Sequence, residues 1–90
     1  MKKDITTKSG FKCKVDDKVL DDMELVDAMA AAQGDDPLQI SVVIDKVLGP
    51  NVKKKLYDHV RAKDGRVPLD AATDEVIEIF EVLGDDGKNS

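Results

Sequence analysis

Hydrophobic and polar positions alternate with a period of two from Ile5 to Val15. Ile5 and Thr7 precede Lys8-Ser9-Gly10, and Phe11, Cys13 and Val15 follow, alternating with Lys12 and Lys14. Register decides the loop. A two-residue Ser9-Gly10 turn would pair Ile5 with Lys14 and mix the faces, whereas a three-residue loop pairs Ile5 with Cys13, Thr6 with Lys12 and Thr7 with Phe11. Gly10 then occupies the left-handed position that such loops require. The pattern predicts a hairpin with one apolar and one lysine-bearing face, which needs a helical layer to cover it.

After Asp16-Asp17-Lys18 the period becomes helical. Asp21 or Asp22 is placed to cap a helix over about 23–33, with Met23, Leu25, Val26, Met29, Ala30 and Ala32 apolar and Gly34 as its stop. Asp36 as cap and Pro37 at the first helical position open a second helix that Gly49 ends. Its apolar residues, from Leu38 to Leu48, cover more than one stripe, which predicts a central position. Pro50 opens a third helix over about 50–63, with Val52, Leu56, Tyr57 and Val60 inward and Gly65 at its end. A fourth begins near Pro68 and stops at Gly84, with Leu69, Ala72, Val76, Ile79, Phe80 and Leu83 on one face. Ile77 and Val82 fall partly off that stripe. The predicted fold is α+β: an N-terminal β-hairpin packed on a bundle of about four helices (ββαααα), one domain over 1–84, and a disordered polar tail over 85–90.

Composition sharpens this picture in two ways. The three aromatic residues are Phe11, Tyr57 and Phe80, so the core must be aliphatic. A chain of 90 residues buries only about 60–65% of its unfolded surface, which makes that core thin. The net charge of −5 is uneven. Residues 51–66 carry six basic and two acidic side chains, and residues 67–90 carry one basic and seven acidic. Such a dipolar chain can pair its basic third helix with its acidic fourth, or associate head to tail as a homo-oligomer.

Candidate chemistry is sparse. One His and one Cys do not make an N/S metal site. Aligning Gly65 with the glycine of a calcium-binding EF-hand loop puts Val60 and Ala71 at the first and last ligand positions, where neither side chain coordinates. His59, between Lys55 and Lys63 on the polar side of its helix, is expected to be solvated. Cys13 is expected on the buried hairpin face. The paired aspartates fall in turns and at helix starts, where capping explains them, and the glycines are scattered singly, with no phosphate cradle. The expectation is therefore a protein without catalytic residues, metal or cofactor. The lysines at 53, 54 and 55 spread over about 200° of a helix, with Tyr57 the one nearby aromatic, so nucleic acid is disfavoured as a partner. No apolar run approaches a membrane span and no apolar core follows Met1-Lys2-Lys3, so a cytoplasmic location is expected. The fourth helix presents an unusually wide apolar surface, and Val76, Ile77, Phe80, Val82 and Leu83 are the candidate protein-binding residues.

The segments Lys54-Lys55-Leu56-Tyr57-Asp58-His59-Val60-Arg61, Asp64-Gly65-Arg66-Val67-Pro68 and Glu75-Val76-Ile77-Glu78-Ile79-Phe80-Glu81 resemble small proteins of phage and prophage tail gene clusters. The Ile5–Phe11 hairpin and the Leu20–Leu25 helix start are similar too. The group is that of siphophage tail assembly chaperones, matched over about 4–83. The resemblance implies a non-virion helper that binds the tape measure protein, tends to oligomerise and often shares its N-terminal domain with a longer frameshifted product. It transfers no functional residue. The alternatives are a structural virion component, such as a head–tail connector or tail subunit, and a small nucleic-acid-binding regulator using the basic third helix.

Overall fold

A three-residue loop sets the hairpin. In the computed structural model, which describes residues 2–88 and side chains through residue 84, β1 (Lys2–Thr6) pairs antiparallel with β2 (Lys12–Asp16). Ile5 lies opposite Cys13 and Thr6 opposite Lys12, the register expected from the alternation. The Thr7 N–H donates to the Phe11 carbonyl (2.9 Å), and Gly10 closes the loop with φ +94°. Ile5, Thr7, Phe11 and Val15 are buried, and Cys13 is half-buried beside them.

A 3-10 turn over Asp17–Leu20 leads into α1 (Met23–Gln33). Asp22 caps it, its Oδ1 accepting from the N–H groups of Glu24 (2.9 Å) and Leu25 (3.4 Å). Only Leu25 and Ala28 of this helix are buried, while Met23 and Val26 face outward. The chain then makes a 3-10 turn, Pro37–Gln39, before α2 (Ile40–Val60). Asp36 makes no capping bond to the backbone; its Oδ2 accepts from the Gln39 side-chain amide at 3.1 Å. That correction follows from the 3-10 turn, which displaces the start of the α-helix to Ile40.

The expected second and third helices form one element, α2, bent at Gly49. Gly49 has φ 76° and ψ 169°, a conformation that only glycine adopts readily, and Pro50 restarts the helix at the position where a missing N–H costs nothing. A Cβ on Gly49 would meet nothing within 4 Å. Gly49→Ala is therefore expected to cost about 1–3 kcal/mol through backbone strain alone, measured by urea unfolding. Gly84→Ala, also in open space but within regular helix, should gain about 0.5–1 kcal/mol.

After Val60, a turn is closed by the Ala62 N–H to the Arg66 carbonyl (2.8 Å), with Gly65 at φ +93°. Pro68 accepts from the Ala72 N–H and precedes α3 (Leu69–Lys88). The expected stop at Gly84 is corrected: that residue does not adopt a positive φ, and the helix passes through it into the stretch expected to be a disordered tail. Residues 89 and 90 of that stretch lie outside the described residues.

Helices α2 and α3 cover the hairpin, α2 against β2 and α3 against β1. Val43, Ile44, Val47, Leu48 and Leu56 of α2 meet Ala72, Val76, Ile79 and Leu83 of α3 over Ile5, Phe11 and Val15. Each fully buried aliphatic side chain there contributes about 1.5–3 kcal/mol. Of the expected α3 stripe, Leu69 is instead 62% exposed, and Phe80 packs half-buried at the core's edge. Among the described residues, no helix is long and apolar enough to cross a membrane.

Candidate functional site

The sequence placed a protein-binding surface on the last helix at Val76, Ile77, Phe80, Val82 and Leu83. The structure separates these residues. Val76 (0% exposed) and Leu83 (1%) belong to the core, a correction that follows from the 3.6-residue period carrying both onto the face that meets α2 and the hairpin. Phe80 and Val82 are half-buried and pack against the core. Ile77 alone is both partly exposed and set in a concavity.

That concavity is an apolar groove of about 660 Å³ between the C-terminal half of α1, the Pro37 turn and the first two turns of α3. Met29 and Ala32 form one wall, Pro37 and Ile40 one end, and Leu69, Thr73 and Ile77 the other wall, with Val76 beneath. It continues past Ile40 and Leu69 into a second apolar hollow of about 330 Å³, reaching Leu38, Ile44, Tyr57 and Val67. Leu38 is 81% exposed at its edge. On the α1 side the groove is lined by Met29, Ala32 and Gln33, and the small Ala32 leaves little bulk there to reach α3.

A second feature went unrecognised in the sequence. Glu75 of α3 is buried (7% exposed) and its Oε1 accepts from the Thr7 hydroxyl (2.9 Å) and the Ser9 hydroxyl (2.6 Å). One turn later, Glu78 Oε2 accepts from the Lys8 N–H at 2.7 Å. Two carboxylates on successive turns of α3 thus hold the hairpin loop. His59, expected to be solvated, has its Nε2 2.9 Å from Ser9 Oγ and its ring 5.3 Å from Phe11. With the Ser9 proton directed at Glu75, the contact to His59 is a hydrogen bond when the imidazole Nε2 carries a hydrogen and donates. A serine nucleophile requires the reverse, with the imidazole accepting the serine proton and a carboxylate orienting its far nitrogen. Among the described residues, no carboxylate reaches His59 Nδ1. The cluster is therefore built to fasten the loop.

Burial pushes the Cys13 thiol pKa up, and the charge of Glu75 pushes it further, which disfavours the reactive thiolate. No three His, Cys, Asp or Glu side chains gather as a metal site among the described residues. The basic third-helix segment does not pair with acids of α3 among the described residues. Lys53 pairs with Asp45, Arg61 with Asp58 (3.1 Å) and Arg66 with Asp64 (2.7 Å), all within α2 or its following turn. Of the acids of α3, Glu75 and Glu78 are turned toward the hairpin loop instead.

Comparison with protein-family models, with curated proteins and with solved structures finds no match to this chain.

Proposed function

We propose that this chain is a phage or prophage tail assembly chaperone, a non-catalytic helper that shelters apolar helical stretches of the tape measure protein while a tail is built. The observation that supports this reading is the groove between α1, the Pro37 turn and α3. Its dimensions and apolar walls suit one face of an amphipathic helix, read through anchors at i, i+3 or i+4, and i+7. Met29 lends the wall an adaptable side chain, which favours a binder of related rather than identical segments. The resemblance of the Lys54–Arg61, Asp64–Pro68 and Glu75–Glu81 segments to tail-cluster proteins supplies the partner and the host-cell cytoplasm as the place of action.

Ile77→Asp tests this directly. The side chain stands in the groove wall and outside the buried core, so the variant is expected to fold. Loss of one apolar anchor should weaken partner binding by at least about tenfold. The measurement is the amount of tape measure protein kept in solution on co-expression with wild type and variant. Equal amounts with both would remove the groove from the mechanism. Recovery of the chain in finished particles would make it a virion subunit instead.

A further inference from the structure

The groove carries charge on one rim only. Its lining includes three charged side chains, Arg66, Asp70 and Asp74. Arg66 is already neutralised: its Nε donates to Asp64 Oδ2 (2.7 Å) and its N–H to Asp64 Oδ1 (3.0 Å). Asp64 in turn is held below the usual carboxylate range by those same bonds, the backbone N–H first. Asp70 and Asp74 have no such partner. Both are exposed, they sit four residues apart on one face of α3, and among the described residues neither meets a basic side chain. Along the first turns of α3 an acid thus stands beside a wall residue twice, Asp70 beside the apolar Leu69 and Asp74 beside Thr73, whose hydroxyl is turned to the Leu69 carbonyl (2.7 Å), before the wall ends in Ile77.

We infer that the groove selects a basic amphipathic helix, one whose apolar anchors enter between Met29 and Ile77 while Lys or Arg residues one turn apart lie over Asp70 and Asp74. The inference rests on reading the groove as a partner site and adds the charge of the partner. Two carboxylates about one helical turn apart match two cations at the same spacing on a helix lying along α3. A partner with acidic flanks would bring like charges together at both positions, so the rim discriminates by repulsion as well as attraction.

The test uses two labelled synthetic amphipathic helices of about five turns, identical in their Leu/Ile face, one flanked by lysines and one by glutamates. Binding to the full chain is followed by fluorescence anisotropy at low and high salt. Because a chain of net charge −5 attracts any cation, two double variants are compared. D70N/D74N neutralises the rim, and D27N/E81Q removes the same charge from exposed positions outside the groove lining. The expected result is that the lysine-flanked helix binds about tenfold tighter. That preference should fall with salt, and fall much further in D70N/D74N than in D27N/E81Q. Equal binding of both helices, or a preference lost equally in the two double variants, would overturn the charge inference while leaving the groove as an apolar partner site. Failure of both helices to bind, with Ile77→Asp also without effect on tape measure solubilisation, would overturn the groove reading as well.

Discussion

Replacing Ile79 with alanine is expected to cost about 2–5 kcal/mol, the largest loss of any single substitution considered. Ile79 is fully buried at the point where α3 meets both α2 and the hairpin. Domains have about 5–15 kcal/mol in total, and a thin core places this one toward the low end. The variant should therefore unfold at much lower urea, with an unchanged dependence on urea concentration. A loss below about 1 kcal/mol would mean that α3 is not seated on the hairpin as described. The neighbouring position behaves differently. Ile77, two residues earlier, lies in the groove wall, so its replacement should alter binding far more than stability.

Glu75→Ala is the second large effect, expected at about 2–4 kcal/mol. It leaves the buried Thr7 hydroxyl without its acceptor, about 1–3 kcal/mol, and removes packed methylene groups worth roughly 1 kcal/mol more. Glu75→Gln keeps an acceptor oxygen of the same reach and should cost less than about 1.5 kcal/mol. Ser9→Ala should cost less still, because Ser9 is exposed and the buried Glu75 Oε1 keeps the Thr7 hydroxyl as a donor. Urea unfolding measures each loss. Hydrogen exchange at the Lys8 and Phe11 amides should rise in Glu75→Ala before the rest of the chain is affected, since the loop is held by this carboxylate and by Glu78. Uniform exchange across all helices would show instead that the cluster stabilises the whole fold without a local role.

The hairpin was legible because a three-residue loop, unlike a two-residue turn, keeps Ile5, Thr7, Phe11, Cys13 and Val15 on a single face, and that register is the one observed. The cap of α1 was legible to within Asp21 or Asp22, since side-chain capping is local chemistry, and Asp22 is the one that makes the bonds. The boundary at Gly49 and Pro50 was visible too, but their residue types do not state the angle between the segments they join, so the bent single element was not. Gly84 shows the opposite error. Glycine can end a helix through a left-handed conformation, yet nothing compels it to, and here it continues.

Glu75 was missed for an instructive reason. Set among Asp74, Glu78 and Glu81, it resembles any solvated helix acid. Its position carried a signal nevertheless, being three residues after Ala72 and four before Ile79, on the buried side of the helix. Thr7, at an inward hairpin position, likewise called for a hydrogen-bond partner that its neighbours alone did not supply. The groove was illegible for a different reason. It lies between α1 and α3, two elements more than thirty residues apart, and depends on what α1 lacks rather than what it carries. In the sequence, Met23 and Val26 stand simply among the apolar positions of α1, with nothing to say which way they face. The bulk available to close the groove is instead directed to the outside, at 69% and 48% exposure.

The most direct measurement of the central claim is a backbone amide chemical-shift map of the chain titrated with the lysine-flanked amphipathic helix. Shifts concentrated at Met29, Ala32, Ile40, Leu69, Thr73 and Ile77 are the result predicted for a groove that receives a partner helix. Shifts confined to the outward residues Met23 and Val26 of α1, or to the lysine-bearing face of the hairpin, would contradict it and move the partner site to another face of the molecule.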